Sequence, residues 1–200
     1  MRQRHRHFIV TGAGTGIGRA IALRLASEGA RLGLLARDVS RLESTAEEAL
    51  ASGASAVHVS GCDIRDPGQV RQAVDASAAA LGPLHGMVAN SGIGGPNAPG
   101  GDDRFMELVQ TNLVGTYHCL RAAQSHLAEG PGLRSMVVVS SCLARFGVPG
   151  YTGYCASKAG LLGLVRALAM ELAPEQVQVN AICPGWVETD MAREGLQGLA

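Results

Sequence analysis

The stretch Thr11-Gly12-Ala13-Gly14-Thr15-Gly16-Ile17-Gly18 decides how the rest of the chain is read. It follows the apolar run Phe8-Ile9-Val10 and opens a segment, Gly16 to Glu28, in which Ile17, Ile21 and Leu25 recur at helical spacing. A strand that turns through glycines into a helix lets the backbone approach an anionic group. The helix start adds free N–H groups and the positive end of its dipole. The spacing departs from G-x-G-x-x-G, because isoleucine stands at position 17, where the third glycine would fall from Gly12. Position therefore carries more weight than the motif. A glycine turn after the first strand of a β-α-β unit points to dinucleotide binding.

Downstream the same alternation repeats. Leu32 to Ala36, Ala56 to Ser60, Leu84 to Ala89, Ser135 to Ser140 and Val177 to Ile182 read as strands. Between them, Ser40 to Ser52, Asp66 to Leu81, Arg104 to Glu129 and Gly153 to Leu172 read as helices, with a Gly/Pro-rich loop at Gly92 to Gly101. The strands are apolar on both faces, as in a parallel sheet covered on both sides. Right-handed crossovers then give a doubly wound, Rossmann-like α/β sheet. We expect one domain over residues 1–200, with strand order 3-2-1-4-5-6.

Composition narrows the function. Hydrophobic residues make up 46% and charged residues 17% of the 200-residue chain, which suits a packed core. Seventeen basic side chains balance seventeen acidic ones, so no general attraction to nucleic acid or anionic membrane is expected. The cluster Arg2, Arg4, His5, Arg6, His7 reads as a solvated lead-in to the first strand. The five cysteines, Cys62, Cys119, Cys142, Cys155 and Cys183, form no Cys-x-x-Cys pair. Neither a zinc site nor a disulfide framework follows; reduced, mostly buried thiols in a cytoplasmic protein do.

Far from the glycine loop lies Tyr154-Cys155-Ala156-Ser157-Lys158, with tyrosine and lysine at i and i+4 on one helix face. That helix follows the fifth strand, so its start falls at the sheet edge where ligands of open α/β folds bind. Thr-Gly-x-x-x-Gly-Ile-Gly combined with Tyr-x-x-x-Lys resembles the short-chain dehydrogenase/reductase family, 3-oxoacyl reductases and ketoreductases in particular. The resemblance runs from Phe8 to about Met191.

It implies a nicotinamide cofactor, with Gly12, Gly14, Thr15, Gly16 and Ile17 along its pyrophosphate and ribose. Asp63 and Ile64, after the third strand, would meet the adenine. Ala89-Asn90-Ser91-Gly92 matches the family's Asn-Asn-Ala-Gly in part, with Asn90 near the adenosine. The acid that selects NAD in the family would fall at Ala36 and is absent; Arg37 follows directly and can pair with a 2′-phosphate. NADP(H) is favoured over NAD(H), although Asp38 stands close by and Thr15 occupies a position where many NADP enzymes of the family carry a second basic residue.

The resemblance also implies the chemistry, hydride transfer between NADP(H) and a small-molecule carbonyl or secondary alcohol, as in a carbonyl reductase or an alcohol dehydrogenase. Hydride addition to a carbonyl leaves an alkoxide that needs a proton. A free tyrosine, with a pKa near 10, is poorly matched to supply it. A nearby ammonium and the positive nicotinamide ring would lower that pKa, at a gain of roughly 3–4 kcal/mol. Tyr154 would be the general acid/base, and Lys158 would lower its pKa and bind the nicotinamide ribose. Ser141, thirteen residues before Tyr154, would bond the substrate carbonyl, with Ser140 facing the other way. Asn112 is an unfavourable residue inside a helix; the family makes it the fourth member, anchoring a water that relays protons to Lys158.

Cys183-Pro184-Gly185-Trp186-Val187-Glu188-Thr189 would grip the carboxamide, through the backbone near Val187 and the side chain of Thr189, with Pro184 and Gly185 making the turn. Leu143, Phe146, Tyr151 and Trp186 would wall an apolar substrate pocket. Tyr151 could compete for the acid role but has Cys155, not lysine, at i+4. A redox-sensing nucleotide-binding protein, the alternative, has no need of Ser141, Tyr154, Lys158 and Asn112 together.

Family members run on well past Glu194, through a substrate-covering segment and a seventh strand. The chain is therefore expected to lack both, as a fragment or a short form, and to turn over poorly. The helices around Asn112 and Tyr154 would pack across a homodimer or homotetramer interface.

Overall fold

The computed structural model describes residues 3–130, 132–189 and 193. Six parallel strands form one sheet: β1 (His7–Thr11), β2 (Arg31–Ala36), β3 (Ala56–Gly61), β4 (Gly86–Ala89), β5 (Arg134–Val139) and β6 (Val177–Ile182). Their order is β3-β2-β1-β4-β5-β6, as the alternation predicts. The helices are α1 (Gly16–Ala26), α2 (Val39–Ala51), α3 (Pro67–Leu81), α4 (Phe105–Val109), α5 (Thr116–Gln124) and α6 (Thr152–Leu172).

The pleat sends successive strand residues to opposite apolar layers. Ile9, Met87, Met136 and Val138 meet Val70 of α3, Leu120 of α5, and Leu161 and Leu168 of α6. Phe8, Val10, Leu32, Leu34 and Val88 meet Ala22 and Ala26 of α1 and Leu42 and Ala49 of α2. Each buried leucine or isoleucine contributes about 1.5–3 kcal/mol relative to exposure. None of the described helices is long and apolar enough to cross a membrane.

Strand β1 pairs with both β2 and β4. The chain winds outward through β2 and β3, then returns to β4. A crevice is left where the C-terminal ends of β1 and β4 diverge. The glycine loop and the segment after Ala89 both open into it.

One expectation is corrected. Arg104 to Glu129 is not a continuous α-helix. A π-helical segment, Gln110–Gly115, separates α4 from α5, and helix stops at Gln124. The widened turn centres on Asn112, and π-turns of this kind concentrate at functional sites. Beyond it Gly115 sits against the loop after β3, where a Cβ would come within 2.7 Å of Ile64 Cγ1. Past Ser125 the chain becomes extended, and Leu127 bridges Leu84 beside β4. The segment expected beyond Glu194 lies outside the described residues.

Candidate active site

The crevice is lined in two continuous stretches. One, with a volume of about 210 Å³, is bounded by Gly12, Gly14, Thr15, Ala36, Arg37, Asp38, Arg41, Asp63, Ile64 and Arg65. The other, of about 260 Å³, runs from Gly12, Thr15, Gly16, Ile17 and Asn90 to Ser141, Leu143, Tyr151, Tyr154, Lys158, Pro184, Gly185, Trp186, Val187 and Thr189. Thr15 belongs to both. Asn112, fully buried, stands behind this lining. Phe146 does not join it: its exposed side chain lies outside this lining, whereas Trp186, nearly as exposed, borders it. After Ser141 the chain makes a 3-10 turn, Cys142–Ala144, and spacing from the serine could not foresee where a side chain beyond that turn points.

The glycine loop fits a dinucleotide pyrophosphate. Gly12 has φ +66°, and α1 is preceded by Thr15, which makes no side-chain cap, and has no acid in its first turn, so its leading N–H groups face the crevice without an anionic competitor. Gly18 is held by packing, since a Cβ there would lie 2.3 Å from the Gly12 carbonyl oxygen. Thr11 is a residue that sequence reasoning missed. Its Oγ1 accepts from the backbone N–H of Asn90 and of Ser91, both at 3.0 Å, while Asn90 Nδ2 donates to the Thr11 carbonyl at 3.0 Å. Together they hold the ends of β1 and β4 at a fixed separation.

At the far end of the 210 Å³ stretch, three arginines gather. Arg65 pairs with Asp63 and holds that carboxyl below its ordinary value. Arg41 pairs with Asp38 at 3.3 Å, and its Cβ lies close to where a Cβ on Gly14 would fall. Asp38 also caps α2 by accepting from the Arg41 N–H, so this acid is engaged by its own helix.

The opposite end is tightly bonded. Lys158 is 5% exposed; its Nζ donates to the Val139 carbonyl at 3.0 Å and lies 5.7 Å from the Tyr154 ring centre. Burial pushes its pKa down to about 8. The Tyr154 phenol lies above its ordinary value: burial raises it, and the hydrogen bond with Ser141 only partly offsets that. The expected lowering by Lys158 is not found; desolvation sets the direction, and the opposing contribution comes from Ser141. Ser141 opens toward Tyr154, and its Oγ accepts from Leu143 N–H at 3.1 Å. Ser140 turns away, as alternation predicts, and donates to the Lys158 carbonyl at 2.8 Å.

Asn112 is used as a clamp. Its Oδ1 accepts from Ile93 N–H at 2.8 Å, and its Nδ2 donates to the Ile93 carbonyl at 3.0 Å and to Ser157 Oγ at 3.1 Å. Ser157 in turn donates to the Tyr154 carbonyl at 2.8 Å. The amide thus ties the loop after β4 to the helix that carries Tyr154 and Lys158. Of the five cysteines, only Cys62 and Cys119 are buried, all are free thiols, and Cys142 lines the crevice.

Comparison with known proteins agrees with this geometry. The family model described as short chain dehydrogenase matches residues 6–199. A Streptomyces violaceoruber protein, provisionally named as a ketoacyl reductase of the granaticin polyketide synthase, is 40% identical over 189 residues, covering 92% of this chain and 68% of its own length. Actinorhodin polyketide ketoreductase, solved as a point variant with NADPH, superposes with a TM-score of 0.89 at 32% identity, over 99% of this chain and 76% of that one. Carveol dehydrogenase from Mycobacterium avium, solved with NAD, has a TM-score of 0.89 at 31% identity, over 95% of this chain and 74% of that one.

Proposed function

The chain belongs to the short chain dehydrogenase family, a family of oxidoreductases, and from that premise we propose that it reduces a ketone with NADPH, Tyr154 delivering the proton. One observation carries this reading: Ser141, Tyr154 and Lys158 line the same stretch of the crevice as Gly12, Thr15, Gly16 and Ile17 of the glycine loop, whose helix start has no side-chain cap. Bound NADPH would supply a hydride, and the remaining work falls to the chain.

The Ser141 hydroxyl would bond the substrate carbonyl and hold it beside the phenol. A phenol raised by burial stays protonated at neutral pH, which suits a donor to a developing alkoxide. Lys158 would bond the nicotinamide ribose and supply positive charge as the phenolate forms. Asn112 would act by holding Ile93 and Ser157, and through Ser157 the backbone of Tyr154. Gly12, Gly14, Thr15, Gly16 and Ile17 would take the pyrophosphate and ribose, Asp63, Ile64 and Asn90 the adenosine, and Pro184, Gly185, Val187 and Thr189 the carboxamide.

NADPH is preferred on the strength of Arg37, with Arg41 as the second cation that Thr15 does not provide. Both face the 210 Å³ stretch at the end of β2, and Arg41 leans on the glycine loop. Relatives have been solved with either cofactor: the actinorhodin ketoreductase with NADPH and the carveol dehydrogenase with NAD. Tyr151, 7% exposed, with Leu143 and Trp186 forms an apolar wall that suits ketones or 3-oxoacyl thioesters. Exposed Tyr117 on α5 and Met170 on α6 support a homo-oligomer joined through these helices.

The test is NADPH oxidation against a panel of ketones and 3-oxoacyl thioesters, with NADH alongside. Tyr154→Phe should lower kcat by roughly 10²–10⁴-fold while NADPH still binds. An active Tyr154→Phe, or loss of activity from Tyr151→Phe alone, would overturn the assignment.

A further inference from the structure

We propose that Asn97 is a positioning residue for proton transfer: from a loop fifty-six residues away it caps the first turn of α6 and so sets where Tyr154 stands. This rests on the reading of Tyr154 as proton donor.

The loop after β4 is rich in glycine and proline, and Pro96, Ala98 and Pro99 are exposed. Asn97 alone among them is buried, at 6% exposure. Its amide is fully used. Oδ1 accepts from Gly153 N–H at 2.7 Å and from Thr152 Oγ1 at 3.2 Å. Nδ2 donates to Asp103 Oδ1 at 2.9 Å and lies 3.0 Å from Thr152 Oγ1. Its backbone N–H donates to the Gly150 carbonyl at 2.7 Å.

Helix α6 has no cap of its own, since Tyr151 precedes it without a side-chain bond to the first turn. The role normally filled by a local Ser, Thr, Asp or Asn is filled from a distance. Gly153, the residue next to Tyr154, is pressed between elements: a Cβ there would lie 3.0 Å from Leu108 Cδ1 and 3.2 Å from Asn97 Oδ1. Asp103 also accepts from Phe105 N–H at 3.0 Å, so the Asn97–Asp103 pair joins the starts of α4 and α6.

Removing the cap frees the first turn of α6. Tyr154 is then held less firmly against Ser141, and the positive end of the helix, which favours phenolate, is weakened. Asn97→Ala should lower kcat for ketone reduction about tenfold, leave KM for NADPH within about twofold, and move the alkaline limb of kcat to higher pH.

A swapped pair keeps the test decisive even if that variant folds poorly. Asn97→Asp alone sets two carboxylates face to face and should be at least as impaired. Asn97→Asp with Asp103→Asn restores an acceptor toward Gly153 and a donor–acceptor bond between the two residues, and should recover kcat to within about threefold. Wild-type kcat and pH limb in Asn97→Ala would sink the proposal. So would a swapped pair that binds NADPH and melts normally yet stays impaired. Persistent activity in Tyr154→Phe would instead strike the reading beneath it.

Discussion

Two buried basic side chains stand at opposite ends of the same sheet, and burial moves both from their ordinary pKa. Lys158, at the C-terminal edge, is pushed down to about 8. His7, at the N-terminal start of β1, is pushed down to about 4. Their partners differ. His7 is enclosed by groups that suit a neutral ring: Nδ1 bonds the Gly82 carbonyl at 2.7 Å, and Nε2 meets Ser77 Oγ at 3.0 Å. A carbonyl only accepts, so Nδ1 carries the proton and Ser77 donates to Nε2. Lys158 keeps its charge at pH 7, bonds the Val139 carbonyl, and lines an open crevice. A displaced pKa alone therefore does not mark a working residue. The difference lies in whether the charged form survives and whether space is left beside it.

The largest effect is expected from removing the lysine. Lys158→Met should cost roughly 10²-fold or more in kcat, by analogy with loss of other positioned acid–base groups. The same change should stabilise the protein at pH 7. A lysine whose folded pKa lies below its unfolded value binds fewer protons in the native state, so its penalty is full below about pH 8. That penalty is worth about 3 kcal/mol and fades as pH rises toward the unfolded value of about 10.4. Urea unfolding of both forms from pH 7 to 10 should show the gain of Lys158→Met shrinking with pH. A variant that is destabilised at pH 7 would show that the buried ammonium contributes to the fold, contrary to the contrast with His7.

His7 should behave in the same sense but in a lower pH window. Its folded pKa is also depressed, but it crosses the acid range. Stability is fully present above the unfolded pKa of about 6.5 and falls, by about 3 kcal/mol in all, as pH drops through about 4. His7→Asn should flatten that acid slope and leave kcat per folded molecule unchanged at pH 7. A change in kcat would mean that the two ends of the sheet are coupled.

What could be read in advance followed from locality. The glycine turn, the alternation of strands and helices and the i, i+4 pairing of Tyr154 with Lys158 depend on neighbours a few residues apart, where periodicity and backbone preference act; the strand order followed from that alternation through the handedness of the crossovers. Asn112 was noticeable because asparagine suits a helix interior poorly, but the π-turn around it was not foreseen; its bonds reach Ile93 and Ser157, nineteen and forty-five residues away. Thr11 stood at the head of the glycine motif but its role was not read, because a threonine ending a strand is ordinary, and Asn97 carried no local signal, because an asparagine in a glycine-proline loop is ordinary too. Their meaning comes from partners seventy-nine and fifty-six residues distant. Phe146 failed for the reverse reason: nearness to Ser141 along the chain said nothing about direction after the 3-10 turn.

The smallest expected effect tests the contrast with single methyl groups. A Cβ on Gly33 would lie 2.2 Å from Ser77 Oγ, the partner of His7, and 2.9 Å from Ile9 Cγ1, in the middle of β2. A Cβ on Gly92 would lie 3.0 Å from Asn112 Oδ1 and 3.4 Å from Lys158 Nζ. Gly33→Ala overpacks a closed core and should cost about 1–3 kcal/mol of stability with no loss of kcat per folded molecule. Gly92→Ala sits beside open space, where Asn112 need yield only a few tenths of an ångström. Its stability should change by less than about 1 kcal/mol. Its kcat should fall about fivefold, because the methyl crowds the lysine and the clamp that steadies Tyr154. If Gly92→Ala loses stability while turning over normally, the lysine end is as closed as the histidine end, and the division between them fails.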